Sequence, residues 1–221
     1  MPALRNILVA VKPGSADAHP LERARTLAKS AGARLTVLSV PPGAIPAIEI
    51  AREAESKGVD LIVLGRELPS QTDLRHDGNT VEGTVGRARV PCLLVPRGPH
   101  GLARVLAAVD GGPDSRDVMA AAALVGRVLD ASVRAVHVEA AVLVGVGAPT
   151  GLHEVPAAVG DGTIVRQGDP VSEILRVARE DGVDLLVFGH HRGGPVSTHA
   201  TSGVAARLLQ RAPGAVLAVP I

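Results

Sequence analysis

Aromatic side chains are almost absent from this chain of 221 residues, which has no tryptophan, no tyrosine and one phenylalanine, Phe188. Without them the protein cannot build the stacking platform on which single-stranded nucleic acids bind. Cysteine is equally scarce, and the single Cys92 excludes an internal disulfide and a metal site built from several cysteines. The longest uninterrupted apolar stretch, residues 140–148, is much shorter than the roughly 20 residues of a membrane-spanning helix.

An excess of charge of either sign is also missing, because 23 Lys and Arg residues stand against 22 Asp and Glu residues. The net charge of +1 gives no electrostatic reason to expect nucleic acid as a partner. With 46% hydrophobic residues the chain can bury a core and is unlike a disordered segment. We therefore expect a soluble, cytoplasmic protein without nucleic-acid or membrane partners.

The sequence contains an internal repeat. Three pairs of similar segments occur in both parts of the chain: RNILVAVKPG and ARVLAAVDGG, GVDLIVLG and GVDLLVFG, PCLLVP and AVLAVP. A unit of about 100 residues is too long for a solenoid repeat and is typical of a duplicated domain. We predict two domains, residues 1–97 and 102–221, separated by the proline- and glycine-rich segment PRGPHG.

Both halves show a pattern of alternating strands and helices. Short continuous apolar runs occur at Ile7–Val11, Leu35–Val40, Leu61–Leu64, Cys92–Val95, Val105–Val109, Val133–Val138, Leu185–Phe188 and Val216–Val219. Such runs predict strands covered on both faces, as in a parallel sheet. Helical patterns lie between them, at Leu21–Ser30, Ala47–Ser56, Val118–Leu129, Val171–Arg179 and Val204–Gln210. The predicted fold class is α/β, with two tandem doubly wound domains and open, mainly parallel sheets.

The two halves differ in length between the second strand and the GVD motif. This span has 17 residues in the first half and 43 in the second. The longer span has room for a further strand near Thr163–Gln167. We therefore predict that the first domain is reduced by one strand.

Ligands of open parallel sheets bind beyond the carboxyl ends of the strands, where the strand order reverses. In the second half this edge would carry Asp110 and the glycine-rich loop from Gly189 to Gly203. A glycine-rich loop that leads into a helix presents main-chain N–H groups and the positive end of the helix dipole to a phosphate. Arg192 adds a guanidinium that can donate two hydrogen bonds to a phosphate. The alternative is that these glycines merely turn the chain.

The opening motifs ILVAV and VLAAVDG, the two GVD motifs and the closing CLLVP and VLAVP segments resemble the universal stress protein family in its tandem, two-domain form. The resemblance covers nearly the whole chain. It implies a strand order of 3-2-1-4-5 in each domain and a pseudo-dimer in which the domains pack through their last strands. It also implies ATP or AMP as the ligand, accompanied by Mg²⁺, although other members bind no nucleotide.

The resemblance also implies site residues. Nucleotide-binding members carry a loop G-x2-G-x9-G-(S/T/N), and the second half keeps its spacing with Arg192 in place of a glycine and with Ser202-Gly203 in reversed order. Asp110 would meet the ribose or a metal ion, the Val138 main chain the adenine, and Phe188 the base or ribose. The cofactor-binding residues predicted in this way are Ala108, Asp110, Val138, Phe188, Gly189, Arg192, Gly193, Ser202, Gly203 and Val204.

The first half departs further from the family pattern. Lys12 stands where the second half has Asp110, and Leu68 replaces a loop glycine, although Gly78-Asn79 is retained. A side chain at such a loop position hinders the approach of the backbone to a phosphate. We predict that the second domain holds the ligand and that the first is its structural partner.

Three hypotheses for function follow. The first is a stress-response protein that binds or senses ATP or AMP through its second domain, with slow hydrolysis at most. The second is an interaction protein that binds no nucleotide, because both loop motifs are altered. The third is an adenine-nucleotide hydrolase-like enzyme, which VDGGPDS at 109–115 suggests only faintly. An unidentified protein partner, and pairing of two chains beyond the pseudo-dimer, stay open in all three.

Other residues of the second half allow more than one interpretation. His190, His191 and His199 could bind a metal, contact a phosphate or face solvent. Ser197 lacks the G-x-S-x-G turn of a hydrolase nucleophile. The apolar segment 140–152 could line an adenine pocket, pack between the domains or cover a partner.

In the first half, Lys12, Arg66, Arg75 and His76 could form an anion site or belong to a solvated surface loop. Acidic residues interleave with them in the sequence and favour the solvated loop. Cys92 lies in an apolar run and is predicted to be a buried, inert thiol.

Overall fold

The computed structural model describes residues 3–12, 19–41, 43–66, 78–98, 101–139, 163–191 and 203–221. In the first half these residues form β1 Asn6–Val11, α1 His19–Ala31, β2 Arg34–Ser39, α2 Pro46–Ser56, β3 Leu61–Arg66, α3 Gly78–Arg87 and β4 Cys92–Pro96. In the second half they form β5 Arg104–Val109, α4 Ser115–Leu129, β6 Ser132–Glu139, β7 Thr163–Gln167, α5 Pro170–Glu180, β8 Leu185–His190, α6 Val204–Arg211 and β9 Ala215–Pro220.

All nine of these strands belong to one sheet, in the order β2-β1-β3-β4-β9-β8-β5-β6-β7. Every neighbouring pair is parallel except β4 and β9, which run antiparallel with Leu93 opposite Leu217. The predicted α/β fold class, with its mainly parallel sheet and its joint through the last strand of each half, is confirmed. The domain limits at residues 97 and 102 stay a prediction.

The halves differ by one strand, as the span lengths predicted. The second half has the order β7-β6-β5-β8-β9, which is 3-2-1-4-5 when its strands are numbered along the chain. The described residues of the first half give β2-β1-β3-β4, without a counterpart of β7. The sheet therefore ends at the second strand on one side and at an additional strand on the other.

Helices cover both faces of the sheet, which explains why the strands have continuous apolar sequences. α1 and α4 pack on one face against side chains such as Val9 and Val187. α2, α3, α5 and α6 pack on the other face against side chains such as Leu8 and Leu186. Successive residues of each central strand thus enter two different cores.

The aspartate of each GVD motif has a structural role. The Asp60 carboxylate accepts hydrogen bonds from Arg5 N and Asn6 N, both at 2.8 Å. In the second half the Asp184 carboxylate accepts equivalent bonds from Ala103 N and Arg104 N, at 3.1 and 3.0 Å. These bonds tie the start of the central strand of each half to the start of its neighbour.

Among the described residues no helix combines the length and the apolar character that crossing a membrane requires.

Candidate functional site

The strand order of the second half reverses between β5 and β8. These strands are parallel neighbours, with Ala108 opposite Phe188, so their carboxyl ends lie side by side. Asp110 follows β5 directly, and β8 ends at His190. The structure therefore brings the start of both predicted ligand-binding segments to one place at the edge of the sheet.

The Asp110 carboxylate is held in place by the turn that follows it. Its Oδ1 atom accepts hydrogen bonds from Gly112 N at 2.8 Å and from Ser115 Oγ at 2.9 Å. Gly111, between Asp110 and Gly112, has φ +80°, a left-handed conformation that glycine adopts without strain, and its N–H donates to Ser115 Oγ at 3.1 Å. Both bonds end on Oδ1 and neither involves Oδ2. Asp110 is exposed at the edge of the sheet.

The pKa of Asp110 lies below its ordinary value. Partial burial raises the pKa, but the hydrogen bonds from Gly112 and Ser115, together with the nearby His137, outweigh it. Asp110 is therefore ionised at neutral pH and presents a negative charge at the strand ends.

His137 is the buried neighbour of this carboxylate. It lies on β6 opposite Val109 and is 7% exposed. Its Nδ1 donates a hydrogen bond to the Val109 carbonyl at 3.1 Å, which assigns the ring proton to Nδ1. Sequence reasoning did not single out His137, and it considered Ser115 only as the end of the segment VDGGPDS, not as a partner of Asp110. For Ser115 a signal existed, because it stands five residues after the strand-end aspartate and begins α4.

Gly189 is required for packing. A Cβ atom at this position would lie 2.9 Å from Ile221 Cδ1 and 3.1 Å from Val118 Cγ2. In the first half a Cβ at the matching Gly65 would lie 2.9 Å from Pro20 Cγ. Both glycines thus let the first helix of their half approach the sheet, and this accounts for them without a ligand.

The other apolar positions predicted for the nucleotide also have packing partners. Phe188 is 3% exposed and lies in the core beneath α5 and α6. Ala108 and Val138 are partly buried against the same core, and Val138 pairs with Arg166 of β7. Their contribution to ligand binding stays a prediction.

The far end of the predicted loop is at Gly203 and Val204. Gly203 precedes α6 with φ −88° and ψ 145°, and no side chain of the described residues caps the helix there. A Cβ at Gly203 would meet none of the described atoms within 4 Å, and Val204 is 41% exposed. The described part of the chain therefore leaves this helix end uncovered. Other predicted loop residues lie outside the described residues: Arg192, Gly193, Ser197, His199 and Ser202.

In the first half the structure separates two of the residues considered for an anion site. Lys12 is exposed at the end of β1. Arg66 is only 7% exposed and donates hydrogen bonds to the carbonyls of Ala212 at 3.1 Å and Gly214 at 3.3 Å. Burial lowers its pKa to about 10, so it remains a cation. Arg66 thus binds the second half, while Arg75, His76 and Leu68 lie outside the described residues.

The remaining candidates differ in exposure. His190 is 4% exposed, whereas His191 is exposed. Within the described ranges, no three His, Cys, Asp or Glu side chains are grouped to hold a metal ion. Cys92 is buried, and burial raises the pKa of its thiol to about 12, as expected for an inert thiol. The apolar segment 140–152 lies outside the described residues.

Comparisons with known proteins agree with this architecture. Residues 140–220 match the model of the universal stress protein family. A protein from Pseudomonas aeruginosa UCBPP-PA14 assigned to the universal stress proteins superposes with a TM-score of 0.71 at 16% identity, over 99% of this chain and 94% of its own. A universal stress protein from Archaeoglobus fulgidus gives 0.66 at 19% identity, over 98% and 88%.

A functionally unknown protein from Pseudomonas aeruginosa PAO1 gives a TM-score of 0.69 at 15% identity, over 99% of this chain and 93% of its own. No curated protein matches the sequence. The family match at the C-terminal end and the shared fold over nearly the whole chain confirm the predicted resemblance to the universal stress protein family, and the two related halves are consistent with its two-domain form.

Proposed function

We propose that the second half binds an adenine nucleotide, ATP or AMP, and that the protein acts as a nucleotide-responsive stress protein rather than as a fast enzyme. The observation that carries this proposal is the Asp110 carboxylate, fixed through Oδ1 at the point where the strand order reverses, with Oδ2 outside those bonds. A pre-positioned acceptor needs no reorganisation when a ligand arrives.

The residues at this edge fit an adenine nucleotide in chemical type. An ionised carboxylate accepts hydrogen bonds from ribose hydroxyls and is a ligand that Mg²⁺ prefers. The open start of α6 at Gly203 and Val204 offers main-chain N–H groups of the kind that bind phosphate. When bound, Mg²⁺ would supply charge neutralisation of the phosphates. The cytoplasm, where adenine nucleotides are abundant, suits this activity.

The residues of the first half support the proposal that each chain has one nucleotide site, in the second half. At the end of β1, Lys12 stands where the second half has the Asp110 carboxylate. Arg66 donates its hydrogen bonds to carbonyl groups of the second half. We propose that this half is a structural partner without its own nucleotide. Nucleotide binding in the second half would change the surface at that edge of the sheet, which a protein partner could then distinguish.

The test is calorimetric titration of Mg·ATP and of AMP into the whole chain and three variants. D110N keeps an acceptor for Gly112 and Ser115 but removes the charge, and D110A removes both. We expect wild-type affinity in the micromolar range, about −8 kcal/mol. Both Asp110 variants should bind at least about tenfold more weakly, because a charge-assisted bond is lost. K12A serves as the matched control and should bind like the wild type.

An interaction role without nucleotide is the second candidate. The packing of Gly189 against Val118 and Ile221 favours it, because a glycine that resembles a phosphate-loop residue already has a structural reason. A folded protein that gives no heat with either nucleotide would refute the first role and leave the interaction role as the remaining candidate.

A further inference from the structure

Arg66 is a buried cation that bridges the two halves. It is the last residue of β3, and its guanidinium donates to carbonyl oxygens of Ala212 and Gly214 in the other half. Placing a charged group in a buried position costs free energy unless hydrogen bonds compensate it. The two carbonyl groups provide that compensation, so the arginine and this segment depend on each other.

The bound carbonyls belong to the connection between α6 and β9. Ala212 caps the C-terminal end of α6, is fully buried, and donates its N–H to the Leu208 carbonyl at 2.9 Å. Gly214 is packed so closely that a Cβ would lie 2.8 Å from the Asp184 carbonyl oxygen. A cation at the C-terminal end also interacts favourably with the helix dipole. Arg66 therefore fixes the end of α6 by geometry and by charge.

α6 receives a further contact from the first half. The Gln210 amide donates to Glu82 Oε1 of α3 at 3.0 Å. Within the second half, Arg207 reaches the Asp169 carboxylate at 3.3 Å, and Leu208 and Leu209 pack into the core. The helix has eight residues and spans about 12 Å, so its two ends move as one body.

We infer that Arg66 is a positioning residue for the candidate nucleotide site, although it belongs to the half without one. By holding the C-terminal end of α6, it determines where the opposite end presents the N–H groups of Gly203 and Val204. This inference rests on the proposed function. It gives the first half a specific role, because the second half alone lacks the cation that holds this helix.

The test compares R66M, which keeps an unbranched apolar chain but removes the guanidinium and its donors, with R66K, which restores the charge and part of the hydrogen bonding. R52M is the matched control, because Arg52 lies exposed on α2 and, among the described residues, forms its ion pair with Glu49 of the same helix. Hydrogen exchange of peptides covering α6 and, as internal reference, α1 is measured for each chain by mass spectrometry. Calorimetric titration with Mg·ATP follows on the same samples.

In R66M we expect exchange in α6 to accelerate about tenfold while α1 keeps wild-type rates, because two hydrogen bonds to a charged group are lost locally. The Kd for Mg·ATP should rise about fivefold or more, R66K should recover part of both effects, and R52M should show neither. A purely structural role would instead accelerate exchange everywhere and leave the Kd of the folded fraction unchanged, which would overturn the inference.

The two proposals fail in different ways. If the wild-type chain binds no Mg·ATP, the proposed function fails, and exchange alone then decides whether Arg66 positions α6. If the wild type binds and R66M matches it in both exchange and affinity, the inference fails while the proposed function stands. If R66M does not fold, R66K decides. Support then requires that α6 exchange faster in R66K than in the wild type while α1 keeps its wild-type rate, and wild-type exchange in both helices would overturn the inference.

Discussion

Gly189 and Gly203, at the two ends of the predicted phosphate loop, are glycines for different reasons. The space beside Gly189 is filled by Ile221 and Val118, whereas no atom of the described residues lies within 4 Å of a Cβ at Gly203. Neither residue is among those with positive φ. Steric packing is therefore the constraint at Gly189, whereas the part of the chain that the structure describes places no steric constraint on Gly203.

This difference predicts opposite outcomes for two alanine substitutions. G189A should lower the free energy of unfolding by about 1–3 kcal/mol, because the new methyl group overpacks the contact with Ile221 and Val118. G203A should change it by less than about 0.5 kcal/mol, since the loss of a helix-capping glycine is offset by a less flexible unfolded chain. Urea unfolding followed by circular dichroism measures both. Equal effects would show that the packing at Gly189 can relax.

At the scale of elements, α5 begins with a capping aspartate. Asp169 Oδ2 accepts hydrogen bonds from Ser172 N at 2.9 Å and Ser172 Oγ at 2.7 Å, and Arg207 of α6 lies beside it. The bonds from Ser172, with a smaller contribution from Arg207, lower the pKa of Asp169 to about 2. The cap thus stabilises α5 more strongly when its carboxylate is ionised than when it is protonated.

The pH dependence follows from this lowered pKa. The contribution of Asp169 is fully present above the ordinary pKa of an aspartate, about 4, and is lost as the pH falls toward 2. We expect D169A to melt at a lower temperature than the wild type at pH 7, with the difference narrowing between pH 4 and pH 2.5. Thermal unfolding across this range measures it. A constant difference would mean that the charge of the cap is irrelevant.

The GVD aspartates provide a second prediction about elements. D60A and D184A each remove the acceptor of two main-chain N–H groups at the start of a central strand. Each should cost about 1–2 kcal/mol of unfolding free energy, because each lost hydrogen bond is worth about 1 kcal/mol. D60N and D184N, which keep an oxygen acceptor, are the controls and should lose less. A loss in only one half would contradict the equivalence of the two motifs.

Helix α3 shows what sequence reasoning could not reach. Apolar periodicity predicted α1, α2, α4, α5 and α6, but not the helix Gly78–Arg87, whose sequence GNTVEGTVGR is rich in glycine and β-branched residues. A Cβ at Gly83 would lie 3.0 Å from Ala47 Cβ of α2, so this helix is selected by close packing between elements. Such packing is a tertiary property that local helix propensity does not contain.

The candidate site likewise contains residues that the sequence could predict and residues that it could not. The strand-end Asp110 could be predicted, because the apolar runs locate the end of β5 and the family resemblance implies the strand order. The contacts of Ser115 and His137 with the turn could not, since they depend on where α4 and β6 place their side chains. The buried position of Arg66 also lay beyond sequence reasoning, because its partners are more than 140 residues away.

At the scale of the whole molecule, the β4–β9 pairing is the joint between the halves. Val216, Leu217 and Ala218 of β9 are each 0% exposed, and Leu217 stands opposite Leu93. Removal of the first half would expose this strand as an apolar edge, which pairs readily with another strand.

We therefore predict that residues 102–221, produced alone and shown to be folded by circular dichroism, form a homodimer through antiparallel β9 strands. Light scattering after size exclusion should give twice the mass of the fragment. Addition of residues 1–97 should convert the dimer to a one-to-one complex, because β4 competes for the same edge. A folded monomer would mean that the edge is protected by something other than β4.

The antiparallel joint also sets the direction in which each half faces. Since β4 and β9 run in opposite directions, every strand of one half points against those of the other. The carboxyl edges of the two halves, with Lys12 at one and Asp110 at the other, therefore lie at opposite poles of a single sheet. An exposed side chain at one pole, such as Lys12, therefore does not crowd the other pole, whereas Arg66, which ends β3, would act on it through α6. In a duplicated chain of this geometry, the exposed residues at the carboxyl edge of one half can change during evolution while those at the edge of the other half are kept.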